Sequence, residues 1–400
     1  MRIVLAFSGG LDTSFCVPYL AETHRAEVVT VTVDTGGFDA AGREAVAARA
    51  RALGAAEHRA IDARQAVWDG FVATLIRGNV LRGEVYPLSV AAERTQQAIE
   101  VARVAREVGA DAVAHGSTGA GNDQVRFDIA FRVLLPRTPI LTPIRELGWS
   151  RERTARWLAE RGFDVPAGAD RYSINRGLWG TTLGGDWTHD PWQPPPEDAW
   201  DALGGTGEAR PGELVIDWHE GLPVALDGER LDGPQLVERL AARTAPLGIG
   251  RGIHVGETVL GIKGRIGFEA GAALVLIAAH RELEKLVLTR WQAFWKDHVA
   301  RFWGDRLHEG QAFDPVMDDI AAMIRHSQAR VTGRTRVRLD EGRFTVTGAG
   351  SPYSLFAPDV ATYGETNALW SGDEARAFAK IAAIPSLLAA TRGDAGGEPR

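Results

Sequence analysis

One short segment carries the strongest chemical signal in the chain: Ser8, Gly9, Gly10, Leu11, Asp12, Thr13 and Ser14 in unbroken succession. It follows the apolar run 3–7, the pattern of a strand covered on both faces, and opens onto residues 13–22, which read as a helix. Glycines here let the backbone turn tightly and approach a ligand closely. The free N–H groups at a helix start, with the positive end of its dipole, make an anion site. Ser8, Thr13 and Ser14 add hydroxyl donors. Asp12 either caps the helix or helps orient a magnesium ion on bound phosphates. No Gly-Lys-Ser/Thr follows and the third glycine of a dinucleotide fingerprint is missing, so neither of those phosphate loops applies.

A second loop has the residues for an amino acid. Positions 115–127 read HGSTGAGNDQVRF and leave the end of another apolar run, 111–115. Two such runs in one parallel sheet put both loops on the same edge. Asn122 can donate and accept, Asp123 can hold an ammonium group, and Arg126 can grip a carboxylate through two parallel hydrogen bonds. That set suits a zwitterion. The plainer alternative is a surface loop in which Asp123 and Arg126 pair with each other.

The elements behind these loops alternate. Residues 27–35 are β-branched and read as a strand, and 40–53 as a helix closed by Gly54. Residues 91–108 place Ala91, Ala98, Val101, Ala105 and Val108 on one helical face, leaving Glu93, Arg94, Arg103 and Arg106 for the other. Residues 139–145 read as a further strand. The alternation predicts a doubly wound parallel α/β sheet over residues 1–165. Beyond Gly162 the character changes. Residues 187–212, rich in Pro, Gly and Trp, read as an irregular connection, and 214–218 with 223–227 alternate like paired strands. Residues 278–302 space Leu283, Leu286, Val287, Trp291, Phe294, Trp295, Val299 and Phe302 as one long amphipathic packing helix. Residues 334–339 and 343–347 suggest another hairpin. A helix broken at Pro385 and a polar tail close the chain. The expected domains are a nucleotide-binding domain over 1–165, an α+β domain over 166–360 and a helical extension over 361–400.

Composition narrows the class. The 45 Lys+Arg against 52 Asp+Glu leave a net charge of −7, without the basic excess of a nucleic-acid binder. One cysteine, Cys16, excludes an intrachain disulfide and a four-thiolate metal site. At the helix start it is either a mildly acidified thiol or a buried small residue. The ten histidines form no metal-binding motif and are expected to pack. Nothing approaches the ~18 apolar residues of a membrane span, and Ser8 interrupts the N-terminal run well short of a secretory segment. A cytoplasmic protein acting on small molecules is expected.

The pieces AFSGGLDTS, HGSTGAGNDQVRFD, YSINRGLWG and VLGIKGR occur in the order and spacing of argininosuccinate synthases, and the chain resembles that family over residues 2–385. GNDQVRF is the discriminating piece, because SGGLDTS is common to many ATP pyrophosphatases. The resemblance implies ATP-dependent condensation of citrulline with aspartate, with Mg2+ on the ATP phosphates. AMP and pyrophosphate would be released, in a homotetramer with interlocking C-terminal helices and no membrane or nucleic-acid partner. It implies ATP contacts at Ala6, Phe7, Ser8, Gly9, Gly10, Leu11, Asp12, Thr13, Ser14, Val33 and Gly116. Aspartate contacts fall at Thr118, Asn122 and Asp123, with Asp123 orienting the amine. Citrulline contacts fall at Tyr86, Ser89, Asn122, Arg126, Ser173 and Thr182, with Glu257 and Phe268 at its amino-acid end. The catalytic weight rests on Ser8, Asp12 and Asp123.

Departures from the family pattern gather around the second substrate. A family lysine is Ala120, an Asp-x-Asn-Leu-Trp-Gly stretch has become Asn175 to Gly180, and a following acidic position is Gly184. A further acidic position aligns with Gly256, one place before Glu257, and a tyrosine with Phe268. Glu257, Glu93 and Arg94 are the expected substitutes. Three alternatives stay open: the same chemistry on an N-acylated citrulline, a tRNA-thiolating ATP pyrophosphatase, and a non-catalytic nucleotide-binding module.

Overall fold

Five strands, β1 (Arg2–Ala6), β2 (Glu27–Asp34), β3 (Glu57–Asp62), β4 (Ala112–His115) and β5 (Ile140–Leu141), lie parallel in the order β3-β2-β1-β4-β5. They belong to a computed structural model that describes residues 1–165, 172–201, 203, 208, 210–364 and 366–392, in two units, Met1–Tyr353 and Ser354–Arg400. Around the strands run α1 (Leu11–His24), α2 (Ala40–Ala52), the short α3 (Arg64–Val67) and α4 (Ala73–Arg77), α5 (Ser89–Glu107), α6 (Asp123–Leu134), α7 (Pro143–Leu147) and α8 (Arg151–Glu160). Alternate residues of β1 serve different cores. Ile3 and Leu5 pack with Phe15, Leu20 and Leu158, while Val4 packs with Val29, Val31, Ala98, Val101 and Phe131. Both faces are therefore covered, which is why β1 reads as continuous apolar sequence. The order reverses between β1 and β4, so their carboxyl ends open a crevice.

The expected strand over 139–145 is only β5. Pro143 has no amide to give a ladder and instead starts α7, where a missing N–H costs nothing. Glu93, assigned to the polar face of its helix, is fully buried.

The rest of the first unit is antiparallel. β6 (Tyr172–Gly177) and β7 (Gly180–Gly185) pair as a hairpin. After α9 (Glu197–Asp201), β8 (Gly212–His219), β9 (Leu222–Leu226), β10 (Glu229–Arg230) and α10 (Gly233–Thr244) come β11 (Arg251–Glu257) and β12 (Lys263–Glu269). β12 joins β7, giving a sheet ordered β11-β12-β7-β6. Then follow α11 (Gly271–Val287), α12 (Arg290–His308), α13 (Pro315–Ser327), β13 (Gly333–Asp340) and β14 (Arg343–Gly350), the last two completing the order β10-β9-β8-β13-β14.

The helix expected over 278–302 is two helices, α11 and α12. Thr289 accepts from the Gln292 amide while the Gln292 side chain accepts from the Thr289 amide at 3.1 Å, a reciprocal cap that starts a new helix although the apolar spacing runs on.

The second unit holds β15 (Ala361–Thr362) and β16 (Thr366–Asn367), then α14 (Gly372–Ala382) and α15 (Ile384–Arg392), whose described side chains include exposed Phe378, Ile381, Leu387 and Leu388. The helix does break beside Pro385, while the boundary at residue 166 and the polar tail from 393 fall outside the described residues.

Candidate active site

The loop after β1 is built to present free amides. Gly10 begins α1 without any side-chain cap, so the first N–H groups of the helix lack intrahelical partners. Asp12 therefore does not cap; it lines the cavity above the loop, its carboxyl pKa raised by burial against the opposing pull of Arg151. Gly9 has φ +79°, a conformation that disfavours a side chain, and its missing Cβ would stand 3.2 Å from Val46. Ser14 is buried beneath the loop, where its hydroxyl donates to the Gly9 carbonyl at 3.2 Å and accepts from Arg49 at 2.7 Å. Ser8 and Thr13 face each other across the turn at 3.2 Å. Cys16, one turn further, is fully buried, and burial pushes its thiol pKa up, which removes the acidified-thiol alternative.

The loop after β4 comes against the first. A Cβ on Gly116 would lie 3.0 Å from the Thr13 methyl and 3.2 Å from the Thr13 amide, so only glycine lets β4 deliver its loop here. His115 is held by Asp128 at 3.0 Å and accepts from the Ser117 amide at 3.2 Å. Asp123 and Arg126 are not in the loop proper but on the first turn of α6. The Asn122 side-chain oxygen Oδ1 accepts from the Val259 amide at 2.8 Å, tying the start of α6 to the turn between β11 and β12.

Asp123 is clamped. Arg94 donates to one carboxylate oxygen at 2.9 Å and Arg126 to the other at 2.9 Å. These two guanidinium groups hold its pKa below the usual carboxylate range despite desolvation. The pairing first set out as the plain alternative is thus present, on a helix rather than in a surface loop. Arg126 also donates to the His308 carbonyl at 2.9 and 3.1 Å.

These residues line one cavity of about 960 Å3. It gathers Ala6, Phe7, Ser8, Gly10, Leu11, Asp12, Thr13, Val33 and Gly116 on the sheet side. Thr118, Asn122, Asp123 and Arg126 come from the second loop and α6, and Tyr86, Ser173, Thr182 and Glu257 from the segments around them. Gly9, Ser14, Ser89 and Phe268 do not line it. Ser89 sits behind Tyr86, hydroxyl to hydroxyl at 3.4 Å, and the buried Phe268 ring packs 5.4 Å from that of Tyr86. The Thr182 hydroxyl is buried and has no hydrogen-bond partner among the described residues, as suits a group that meets a ligand.

Other residues on this cavity were not singled out beforehand. Arg151 starts α8, Arg176 and Asn175 come from β6, and His254 from β11. Arg151 follows Ser150, a good helix cap, and that was the one local signal that placed it at a helix start. His254 offered none.

His308 also reaches the cavity from the end of α12. Burial, with Arg126 and Arg82 nearby, pushes its pKa down to about 3. A folded value below the unfolded ~6.5 means that its contribution to stability is full above pH 6.5 and lost as pH falls toward 3, at about 1.4 kcal/mol per unit. Between pH 6 and 4 the melting temperature of His308→Asn is expected to fall less steeply than that of the unaltered protein. Parallel slopes in thermal melts would refute this.

Comparison with known proteins agrees with this geometry. The model of the argininosuccinate synthase N-terminal HUP domain matches residues 2–164, and that of the argininosuccinate synthase C-terminal domain residues 172–389. The argininosuccinate synthase of Xylella fastidiosa is 43% identical over 394 residues, covering 97% of this chain and 96% of its own. That of Xanthomonas campestris is 42% identical over 393 residues, covering 96% and 97%. The archaeal enzyme of Metallosphaera sedula is 38% identical over 392 residues, covering 97% and 98%. With loops, clamp and full-length similarity in agreement, the chain belongs to the argininosuccinate synthase family.

Proposed function

We propose that the protein is a C–N ligase that joins the ureido group of a citrulline-type acid to the amine of aspartate at the expense of ATP. One observation carries this: an uncapped helix start and a doubly clamped carboxylate, at the heads of the helices that follow neighbouring strands β1 and β4, face the same cavity. A ureido carbon is a poor electrophile because both nitrogens donate into it. In the first step the ureido oxygen attacks the α-phosphorus of ATP, an O–P bond forms, and the Pα–O–Pβ bond breaks to release pyrophosphate. The amides of residues 9–13 and the hydroxyls of Ser8 and Thr13 meet the charge on the departing phosphates. In the second step the aspartate nitrogen attacks the ureido carbon, a C–N bond forms, and AMP leaves with the former ureido oxygen. Asp123 orients the amine. The protein supplies position and charge, and no covalent nucleophile is required.

Among the described residues no group of three or more His, Cys, Asp or Glu could hold a metal. Magnesium would therefore be carried by the phosphates, with the half-buried Asp12 carboxyl nearest, and would neutralise their charge when bound. Residues 1–165 serve the nucleotide, 166–360 the two amino acids, and 361–400 assembly into a homotetramer, for which exposed Trp291, Phe294 and Trp295 on α12 and the apolar residues of α14 and α15 offer surface. The compartment is the cytoplasm, where ATP and both amino acids meet. No helix among the described residues is long and apolar enough to cross a membrane.

Pyrophosphate release is the test. It is expected to require ATP and a ureido acid, and stoichiometric AMP to require aspartate as well. Release supported by a tRNA instead, or nucleotide binding without turnover, would replace this reading.

A further inference from the structure

The charges around the cavity do not suit two ammonium groups. Among the described residues it is lined by five arginines, Arg94, Arg126, Arg151, Arg176 and Arg265, and by three carboxylates, Asp12, Asp123 and Glu257. Asp12 belongs to the phosphate loop, and Asp123 is the group that meets the aspartate amine. Only Glu257 remains for the α-nitrogen of the ureido acid, and although it borders the cavity its side chain is exposed and already paired. In β11 exposure alternates, with Gly252, His254 and Gly256 on the more covered face and Ile253, Val255 and Glu257 on the exposed one. A shift of one residue along a strand reverses the face, so Glu257 does not replace a side chain at position 256. Its carboxylate pairs with Lys263 at 2.9 Å in solvent. Glu93 does not help either. Its carboxylate lies directly under Gly177, outside the cavity lining, and burial pushes its pKa up to about 8.

Where that α-nitrogen would need a carboxylate, the structure has a histidine. The His254 ring lies stacked on Tyr86, centroids 5.7 Å apart. It occupies the space beside Gly256, where a Cβ would stand only 2.5 Å from Nε2. Nε2 is buried and has no hydrogen-bond partner among the described residues. Burial and the nearby Arg82 hold this imidazole below its ordinary pKa, so at neutral pH it is an uncharged donor or acceptor. His254 and Gly256 also line a side cavity of about 240 Å3, whose other walls are Val80, Leu81, Leu88, Val255, Gly83 and Gly304 with the charged residues Arg82, Arg301 and Asp305. At roughly 30 Å3 per water, that volume holds several non-hydrogen atoms.

We propose that the preferred ureido acid carries an acylated α-nitrogen, with its short acyl group passing the His254 ring into this side cavity. The proposal rests on the ligase reading above. Acylation turns an ammonium into a neutral amide, which needs a hydrogen bond rather than a counter-ion. Nε2 supplies that bond, Val80, Leu81 and Leu88 pack on the acyl chain, and Arg82 and Arg301 suit a carboxylate at its far end. The ureido group reacts as before, and the acyl group passes unchanged into the product.

The test compares kcat/KM of the full chain for citrulline, N-acetylcitrulline and N-succinylcitrulline, read as pyrophosphate release with ATP and aspartate. At least one acylated form is expected to exceed citrulline tenfold or more. Turnover of citrulline equal to or above both would overturn the proposal and leave the ligase reading standing, whereas release with none of the three would overturn both. A second measurement addresses His254 itself. His254→Leu should raise KM for the acylated substrate five- to tenfold with kcat within twofold, and His254→Gln, which keeps a polar atom, should restore it. Unchanged KM in a folded His254→Leu protein would refute this role.

Discussion

Asp123→Asn should separate the two halves of the reaction. The substitution keeps the shape and one carbonyl oxygen but removes the charge that meets the incoming amine. Condensation with aspartate is expected to drop by ~10²-fold or more, the scale of losing a positioned charged contact. Pyrophosphate exchange with the ureido acid alone should fall by no more than about tenfold. The protein should also lose stability, because Arg94 and Arg126 are then left with weaker partners in a buried setting. Equal loss of both half-reactions at a temperature where the variant is folded would show that Asp123 serves ATP or the fold.

Gly9→Val should silence the first half-reaction. Direct blocking of the triphosphate is not the reason, since the missing Cβ points at Val46 rather than into the cavity. The reason is conformational. At φ +79° a β-branched residue is strained by ~1–3 kcal/mol, and relief moves the Gly9 carbonyl that Ser14 holds and the amides that follow it. Displacement of such amides by ~1 Å costs about 10²-fold, so AMP formation should fall by ~10²-fold or more while circular dichroism still reports a folded chain. Normal turnover by that folded variant would contradict the phosphate-loop assignment.

Much of this was legible in the chain itself, for identifiable reasons. The parallel sheet announced itself because β1 and β4 are buried on both faces and read as apolar runs, with β2 a buried β-branched run beside them. The two loops announced themselves because glycines and small polar residues follow those runs directly. The hairpins β6–β7 and β11–β12 were invisible. Tyr172–Gly177 and Gly180–Gly185 carry few large apolar residues and four glycines between them, so no period of two stands out. The break between α11 and α12 was missed because apolar spacing spans it, although Thr289 and Gln292 spell the cap. Glu93 and His254 defeat local reasoning altogether. One is a buried acid on a helix that reads as polar there, and the other a lone histidine whose meaning comes from Gly83, Tyr86 and Gly256 meeting around it.

Under the proposed function, the double clamp on Asp123 would set a sequence of events. With both carboxylate oxygens held, an amine that arrives first meets a carboxylate already satisfied by two cations. A ureido acid that arrives first brings its own carboxylate, which competes for Arg126 and loosens one side of the clamp. The nucleophile's seat is thus made by the electrophile's arrival. Aspartate would then enter last, after the partner it must attack is already in place, and the activated intermediate would spend less of its life facing water.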